Sequence, residues 1–269
     1  MEELTLAVPD GRLWEPTWEY LRRSGLVPDG AEAPSSRDLV FRPRPGLRLL
    51  RVRPADVAVY VAWGAADAGI VGRDVLLEQE PDVYELADLG FGQCRIVLAA
   101  PAGLLPERVL DDGLLPRPLR VATKYPRLVR RLLLARGWTA EVVALSGHVE
   151  VAPRVGLADA IVDLVDTGRT LAENGLAVVA ELERTSARLI ANPVAYRVKR
   201  SRLQPLLAGA AGPVSLGISR PARPQPPMRP PPLRPPSPRA AIPRPEPEQS
   251  APAGGSGGAG CPARRSAWA

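Results

Sequence analysis

The sequence predicts an α/β protein of two lobes with a cleft between them, followed by a disordered tail rich in Pro, Arg and Gly. Three observations carry that expectation. Residues 1–212 alternate short apolar runs with helix-like patterns, the rhythm of strands alternating with helices in mostly parallel sheets. A composition break at 101–118, dense in Pro, Gly and Asp, divides those residues into two stretches of lobe size. From Pro213 onward the composition changes abruptly: 16 of the 32 prolines fall there, with 8 Arg and 2 Glu.

The elements follow in order. Leu4–Val8 is an apolar run stopped by the turn residues Pro9, Asp10 and Gly11. Trp14, Trp18 and Leu21 come next at helical spacing, and Ser24-Gly25 closes that helix. Leu47–Val52 reads as a strand, and Pro54 opens a helix with Val57, Tyr60 and Val61 on one face. Ala68–Gly72 and Arg95–Ala100 read as buried strands. Leu119–Thr123 starts a second series: a helix over 127–136, a strand at Glu141–Leu145, a helix near Val149–Val155 and a strand at Ala160–Val165. In the tail, repeated Arg-Pro and the run Gly254–Gly258 leave neither helix nor sheet a way to propagate. With Trp268 as its only aromatic, 213–269 lacks the apolar surface to offset its ordering entropy.

Charge and composition exclude several function classes. The 35 Lys+Arg exceed the 29 Asp+Glu by 6, and such a balance ordinarily invites a nucleic-acid reading. The tail carries that whole excess, and residues 1–212 hold 27 basic and 27 acidic side chains. No nucleic-acid partner is therefore expected of the lobes. No apolar stretch approaches the roughly 20 residues that span a bilayer. The acidic N-terminus, Met1-Glu2-Glu3, lacks the basic and apolar regions of a secretory signal. Cys94 and Cys261 stand far apart, and one His with two Cys makes no ordinary zinc site. A reduced, cytoplasmic chain without a membrane partner or protein-held metal is expected.

The sharpest chemical signal runs from Asp163 through Leu164, Val165, Asp166, Thr167, Gly168 and Arg169 to Thr170. There an apolar strand enters a hydroxyl-rich turn at the start of a helix. Free N–H groups and Thr hydroxyls suit a phosphate, while the carboxylates of Asp163 and Asp166 suit the hydroxyls of a sugar. An ordinary capped helix would use the same residue types. Arginines follow or precede strands at Arg12, Arg37 and Arg53, where α/β folds place ligands and where a guanidinium fork suits phosphate. His148, the one imidazole, has no carboxylate placed by spacing to orient it, and a structural role is expected.

Four segments, Ala65–Leu76 (AADAGIVGRDVL), Val83–Leu89 (VYELADL), Val121–Pro126 (VATKYP) and Ala158–Leu171 (ADAIVDLVDTGRTL), closely resemble ATP phosphoribosyltransferase. The likeness runs in order over about 4–208, in the manner of the short form that lacks a regulatory domain. It implies two lobes of the type II periplasmic-binding-protein kind: 1–100, completed by 177–212, and 101–176 carrying the phosphoribosyl pyrophosphate loop Asp163–Thr170. It further implies that Arg37 and Arg53 face the pyrophosphate. Gly11 and Arg12, with Asp67 and Gly72 of the first matching segment, are assigned to ATP. The implied reaction transfers the 5-phosphoribosyl group to N1 of ATP, with substrate-bound Mg²⁺ and no protein nucleophile. The implied partner is a regulatory subunit resembling histidyl-tRNA synthetase, in a hetero-oligomer. The sequence departs from the family at Asp10 and Asp38, where lysines are usual, and over Leu145–Glu150. The competing reading is a non-catalytic module that binds a small anion, since the same fold serves solute receptors.

Overall fold

The wholly buried run LTLAVP forms β1, Leu4–Pro9, at the centre of the first sheet. The structure is a computed structural model that describes residues 3–35, 37–104, 118–210 and, as backbone, 217–219. A single 3-10 turn, Gly11–Leu13, leads from β1 into α1, Trp14–Arg23, whose Trp14, Trp18 and Leu21 are buried as their spacing requires. The antiparallel pair β2 (Val40–Arg44) and β3 (Leu47–Val52) follows. Then come α2 (Pro54–Ala62), opened by Pro54, β4 (Ala68–Gly72), α3 (Arg73–Gln79) and β5 (Val83–Asp88). The second sheet collects β6 (Cys94–Pro101), β7 (Leu119–Thr123), β8 (Ala140–Ala144), β9 (Ala160–Val165) and β10 (Leu176–Thr185). Its helices are α4 (Pro126–Ala135) and the short α5 (Arg169–Glu173). The chain then returns through β11 (Ala187–Ala191), α6 (Pro193–Val198), α7 (Arg200–Ala208) and β12 (Gly217–Ser219) to the first sheet.

The strand orders are β12-β5-β11-β4-β1-β3-β2 and β10-β6-β9-β7-β8. Within them β3-β1-β4 and β8-β7-β9 run parallel, and every other pairing is antiparallel. The sheets are thus mixed rather than mostly parallel as expected. Strands that return across the molecule enter each sheet from the opposite direction. The lobe boundaries shift for the same reason. Cys94–Pro101 and Leu176–Thr185 pair with each other in the second sheet, so the chain crosses at 89–93 and at Ser186 rather than at 101 and 176. The two crossings are tied together by Ser186, whose hydroxyl donates to Asp88 at 2.9 Å.

Both sheets carry apolar side chains on both faces, the mark of a helix–sheet–helix sandwich. In the first sheet Leu4, Leu6, Leu47 and Leu49 pack with α1 and α7, while Ala7, Val71 and Ile190 pack with α2 and α3. In the second, Ile96, Leu98 and Val162 pack against Leu128, Val129, Leu132 and Leu133 of α4. Gly69 shows how tightly α2 lies on the sheet. A Cβ there would stand 2.8 Å from Val57 Cγ1 and 2.9 Å from Val61 Cγ2. Gly69→Ala is expected to destabilise the fold by about 2 kcal/mol through overpacking. A lowered urea midpoint is the check, and an unmoved midpoint would show that α2 lifts off freely.

Two further expectations change. The helix expected near Val149–Val155 is one 3-10 turn, Val149–Val151, followed by turns. Pro153 has no N–H to continue a helix that would begin at Val149. Gly217–Ser219 pairs with β5 although 213–269 was expected to lie outside the lobes. These three residues precede the first Arg-Pro and contain no proline to interrupt pairing. The rest of the expected disordered tail lies outside the described residues. Among the described residues no helix is long and apolar enough to cross a membrane.

Candidate functional site

Lys124, Glu150 and the loop after Val165 all leave the C-terminal ends of the parallel strands β7, β8 and β9. That edge is where a parallel sheet opens a crevice for ligands. β9 is held on both sides by β6 and β7, so the loop departs from a fixed strand. Gly168 turns the chain at φ +84°, a conformation in which a Cβ is strained, and hands it to α5. Leu171, buried, anchors the far side of the turn. The helix is only five residues long, so its dipole is small. Its first N–H groups nonetheless lack intrahelical partners, and the hydroxyls of Thr167 and Thr170 stand beside them.

These residues enclose a cavity of about 350 Å³ lined by Asp163–Leu171 together with Lys124, Glu150, Cys94 and Arg12. Lys124 Nζ lies 3.4 Å from Asp163 Oδ1, which also accepts the Leu164 N–H at 2.9 Å. The pocket thus brings cations, N–H donors and carboxylates together, with Lys124 and Asp163 side by side. Burial pushes the Cys94 thiol above its ordinary range, opposed by the positive charge of Arg12. Among the described residues Arg12 is the cavity's one contribution from the first sheet, delivered by the turn at Gly11, φ +69°.

The expected site residues therefore divide. Asp163 to Thr170 and Arg12 come together, and Gly11 positions Arg12. Arg37 and Arg53 do not line the cavity. They are exposed on the edge of the first sheet where β2 begins and β3 ends. Gly72 also ends a strand on this edge, but its smallness serves packing, because a Cβ there would collide with Asp74 Oδ1. Asp67 leaves the ATP assignment. It sits at the opposite, N-terminal end of β4, where Lys199 donates to both its oxygens at 2.9 and 3.0 Å and Thr5 N–H donates at 2.8 Å.

The two unusual anions find partners. Arg51 donates to Asp10 at 2.9 Å while lying 4.1 Å over the Trp14 ring. The Gly11 N–H and then Arg51 hold the Asp10 carboxyl below its ordinary range. Asp38 accepts the Ser35 N–H at 3.1 Å. His148 is exposed rather than structural, and its Nδ1 stands 3.6 Å from Glu150, a carboxylate that spacing had not placed beside it. Lys124, Glu150 and Cys94 were not singled out from the sequence. Each is one residue in its own segment, and only strand order brings them to one mouth.

A second cavity of about 490 Å³ adjoins the first and shares Cys94, Val165 and Asp166 with it. Arg95, Arg184 and Arg188 line it together with Asp88 and Asp166. Arg188 pairs with Asp88 at 2.9 Å and Glu85 at 3.3 Å. Among the described residues no cluster of three or more His, Cys, Asp or Glu side chains is arranged around a metal position.

Two mixed sheets joined by two crossings, with a hydroxyl- and N–H-rich loop at a strand's end, define a two-lobed α/β class. The alkanesulfonate-binding protein SsuA of Xanthomonas axonopodis pv. citri shares that fold at TM-score 0.51 and 12% identity, covering 78% of this chain and 73% of its own. Residues 53–210 match the family model HisG: ATP phosphoribosyltransferase. An ATP phosphoribosyltransferase of Symbiobacterium thermophilum is 50% identical over 208 residues, 77% of this chain and 93% of the relative. The ATP phosphoribosyl transferase (HisG:HisZ) complex from Thermotoga maritima contains a chain at TM-score 0.62 and 37% identity, covering 77% of this chain and 98% of that one. This chain belongs to the ATP phosphoribosyltransferase family, in its short form, and is a glycosyltransferase. The competing reading as a non-catalytic binding module is not favoured.

Proposed function

We propose that the Asp163–Thr170 loop holds phosphoribosyl pyrophosphate while N1 of ATP attacks C1 of the ribose. The N–C bond forms as the C1–O bond breaks, and the electron pair leaves on pyrophosphate, giving phosphoribosyl-ATP. The observation that carries this reading is the cavity itself. Its loop donors suit the 5-phosphate, and Asp163 and Asp166 suit the ribose hydroxyls. Arg12, Lys124 and, from the facing edge, Arg37 and Arg53 supply positive charge for the departing pyrophosphate. The neighbouring cavity is the natural seat for the nucleotide, because it shares a wall with the loop. No protein nucleophile enters, so rate comes from alignment and charge.

Mg²⁺ belongs to the substrate in this scheme: it enters on the pyrophosphate and neutralises its charge. The carboxylates of Asp163 and Asp166 line the same cavity and would meet that cation there. As in the Thermotoga maritima complex, we assign this chain a HisZ-like regulatory subunit resembling histidyl-tRNA synthetase. A cytoplasmic location, where ATP and phosphoribosyl pyrophosphate are at hand, completes the reading.

The test incubates the full chain with ATP, phosphoribosyl pyrophosphate and Mg²⁺, with and without that subunit, and looks for phosphoribosyl-ATP by mass. No product under either condition would remove the assignment. Arg53→Ala is expected to lower kcat by roughly 10- to 100-fold, with a smaller change in phosphoribosyl pyrophosphate affinity. An unchanged kcat would take Arg53 out of the chemistry.

A further inference from the structure

Arg51, on β3, is 8% exposed, a cation set too deep to meet a substrate itself. Its guanidinium meets both ends of the turn that carries Arg12. Before the turn, Nε and Nη2 reach Asp10 Oδ1 at 2.9 and 2.8 Å. After it, the same group lies 4.1 Å over the ring of Trp14, which is itself buried. Between them run only Gly11, Arg12 and Leu13, closed as a 3-10 turn by the Trp14 N–H on the Gly11 carbonyl. The Asp10 N–H donates to the Val52 carbonyl at 2.8 Å, so β3 grips the turn through main chain and side chain alike. Arg51 Nη1 also reaches the Ser35 carbonyl at 3.4 Å.

We propose that Asp10 and Arg51 are a pair of positioning residues that fix the Gly11–Leu13 turn and thereby hold Arg12 at the Asp163–Thr170 cavity. The role rests on Arg12 meeting the substrate there. Packing alone does not ask for a charged pair. A methionine would cover Trp14 without the cost of burying a guanidinium. What the charges add is direction, because two donors on one carboxylate oxygen set both the distance and the angle at the start of the turn. Arg12 is exposed, so the stance of its head depends on the backbone beneath it. The pair also gives Asp10 a use at a position where the family usually has a lysine. A lysine there would set a second cation against the buried Arg51.

The experiment measures steady-state kinetics of the full chain with its regulatory subunit, for Asp10→Ala, Asp10→Asn, Asp10→Lys and Arg12→Ala. It adds the double variants Arg51→Met/Asp10→Ala and Arg12→Ala/Asp10→Ala. Asp10→Ala is expected to lower kcat/KM for phosphoribosyl pyrophosphate roughly tenfold, the size of one lost hydrogen bond between charged groups. Asp10→Asn keeps an acceptor and should recover most of that loss. Asp10→Lys should fall at least as far as Asp10→Ala, although a cation there would by charge alone favour an anionic substrate. Arg51→Met/Asp10→Ala leaves no buried charge unpaired, so it should melt near wild type and lose as much activity as Asp10→Ala. Once Arg12 is gone, removing Asp10 should cost nothing further, because Asp10 acts through Arg12. A further tenfold loss in the Arg12→Ala background would make the pair a structural feature only. A gain in Asp10→Lys would also overturn the role. Arg12→Ala as active as wild type would overturn the cavity reading on which the role rests, whereas a weakened Arg12→Ala beside a fully active Asp10→Ala would overturn the role alone.

Discussion

Arg12→Ala is expected to cut kcat/KM by about 100-fold or more, the size of one transition-state charge contact, while leaving the melting temperature within a few degrees. Arg12 is exposed and packs no core, so its removal leaves the fold intact. In the cavity it is the cation that comes from the first sheet, facing a loop built entirely on the second. In the proposed reading it acts on the departing pyrophosphate only when both lobes hold the substrate, and that places the expected loss in kcat more than in binding. Arg12→Lys should recover little, because a point charge does not reproduce the two parallel hydrogen bonds of a guanidinium. Steady-state kinetics on both variants decide it. Equal loss in KM alone would make Arg12 a simple binding group.

The second large effect is expected at Asp163. Asp163→Asn keeps the shape of the side chain but removes the charge that Lys124 meets at 3.4 Å and one strong acceptor for a ribose hydroxyl. Two charge-assisted interactions are lost together, and kcat/KM should fall by roughly 100-fold or more. The loss should appear chiefly as a raised KM for phosphoribosyl pyrophosphate. The KM for ATP should move little. Should both constants stay within twofold of wild type, Asp163 would be no more than a capping residue.

Much of this arrangement was legible because it is local. β1, β4, β6 and β9 are apolar runs bounded by turn residues, and each formed a strand at its expected place. The Asp163–Thr170 loop is contiguous, so strand, turn and acceptors could be read in one segment. What escaped was long-range or irregular. β10 carries register shifts between Val178 and Ala180 and between Glu181 and Glu183, and these break the two-residue alternation that marks a strand. α7 contains Pro205 and β2 has no buried residue, so neither advertises its class. Lys124 and Glu150 lie in separate segments that meet only through the order β9-β7-β8. Asp67 failed for a related reason. Its segment resembles the family throughout, but the strand it begins points the other end toward the cleft. Asp10 and Asp38 stand where the family usually has lysines, and here Arg51 and the Ser35 N–H take them up.

The central claim is that phosphoribosyl pyrophosphate sits on the turn between β9 and α5, within reach of both lobes. Backbone amide resonances recorded during titration with phosphoribosyl pyrophosphate and Mg²⁺ test it most directly. The N–H signals of Thr167, Gly168, Arg169 and Thr170 should shift most and saturate together, with Lys124 and Arg12 following. Those of Asp67 and Lys199, at the far end of the first sheet, should stay in place. Shifts confined to that far end, or a loop left unperturbed at saturating ligand, would contradict it.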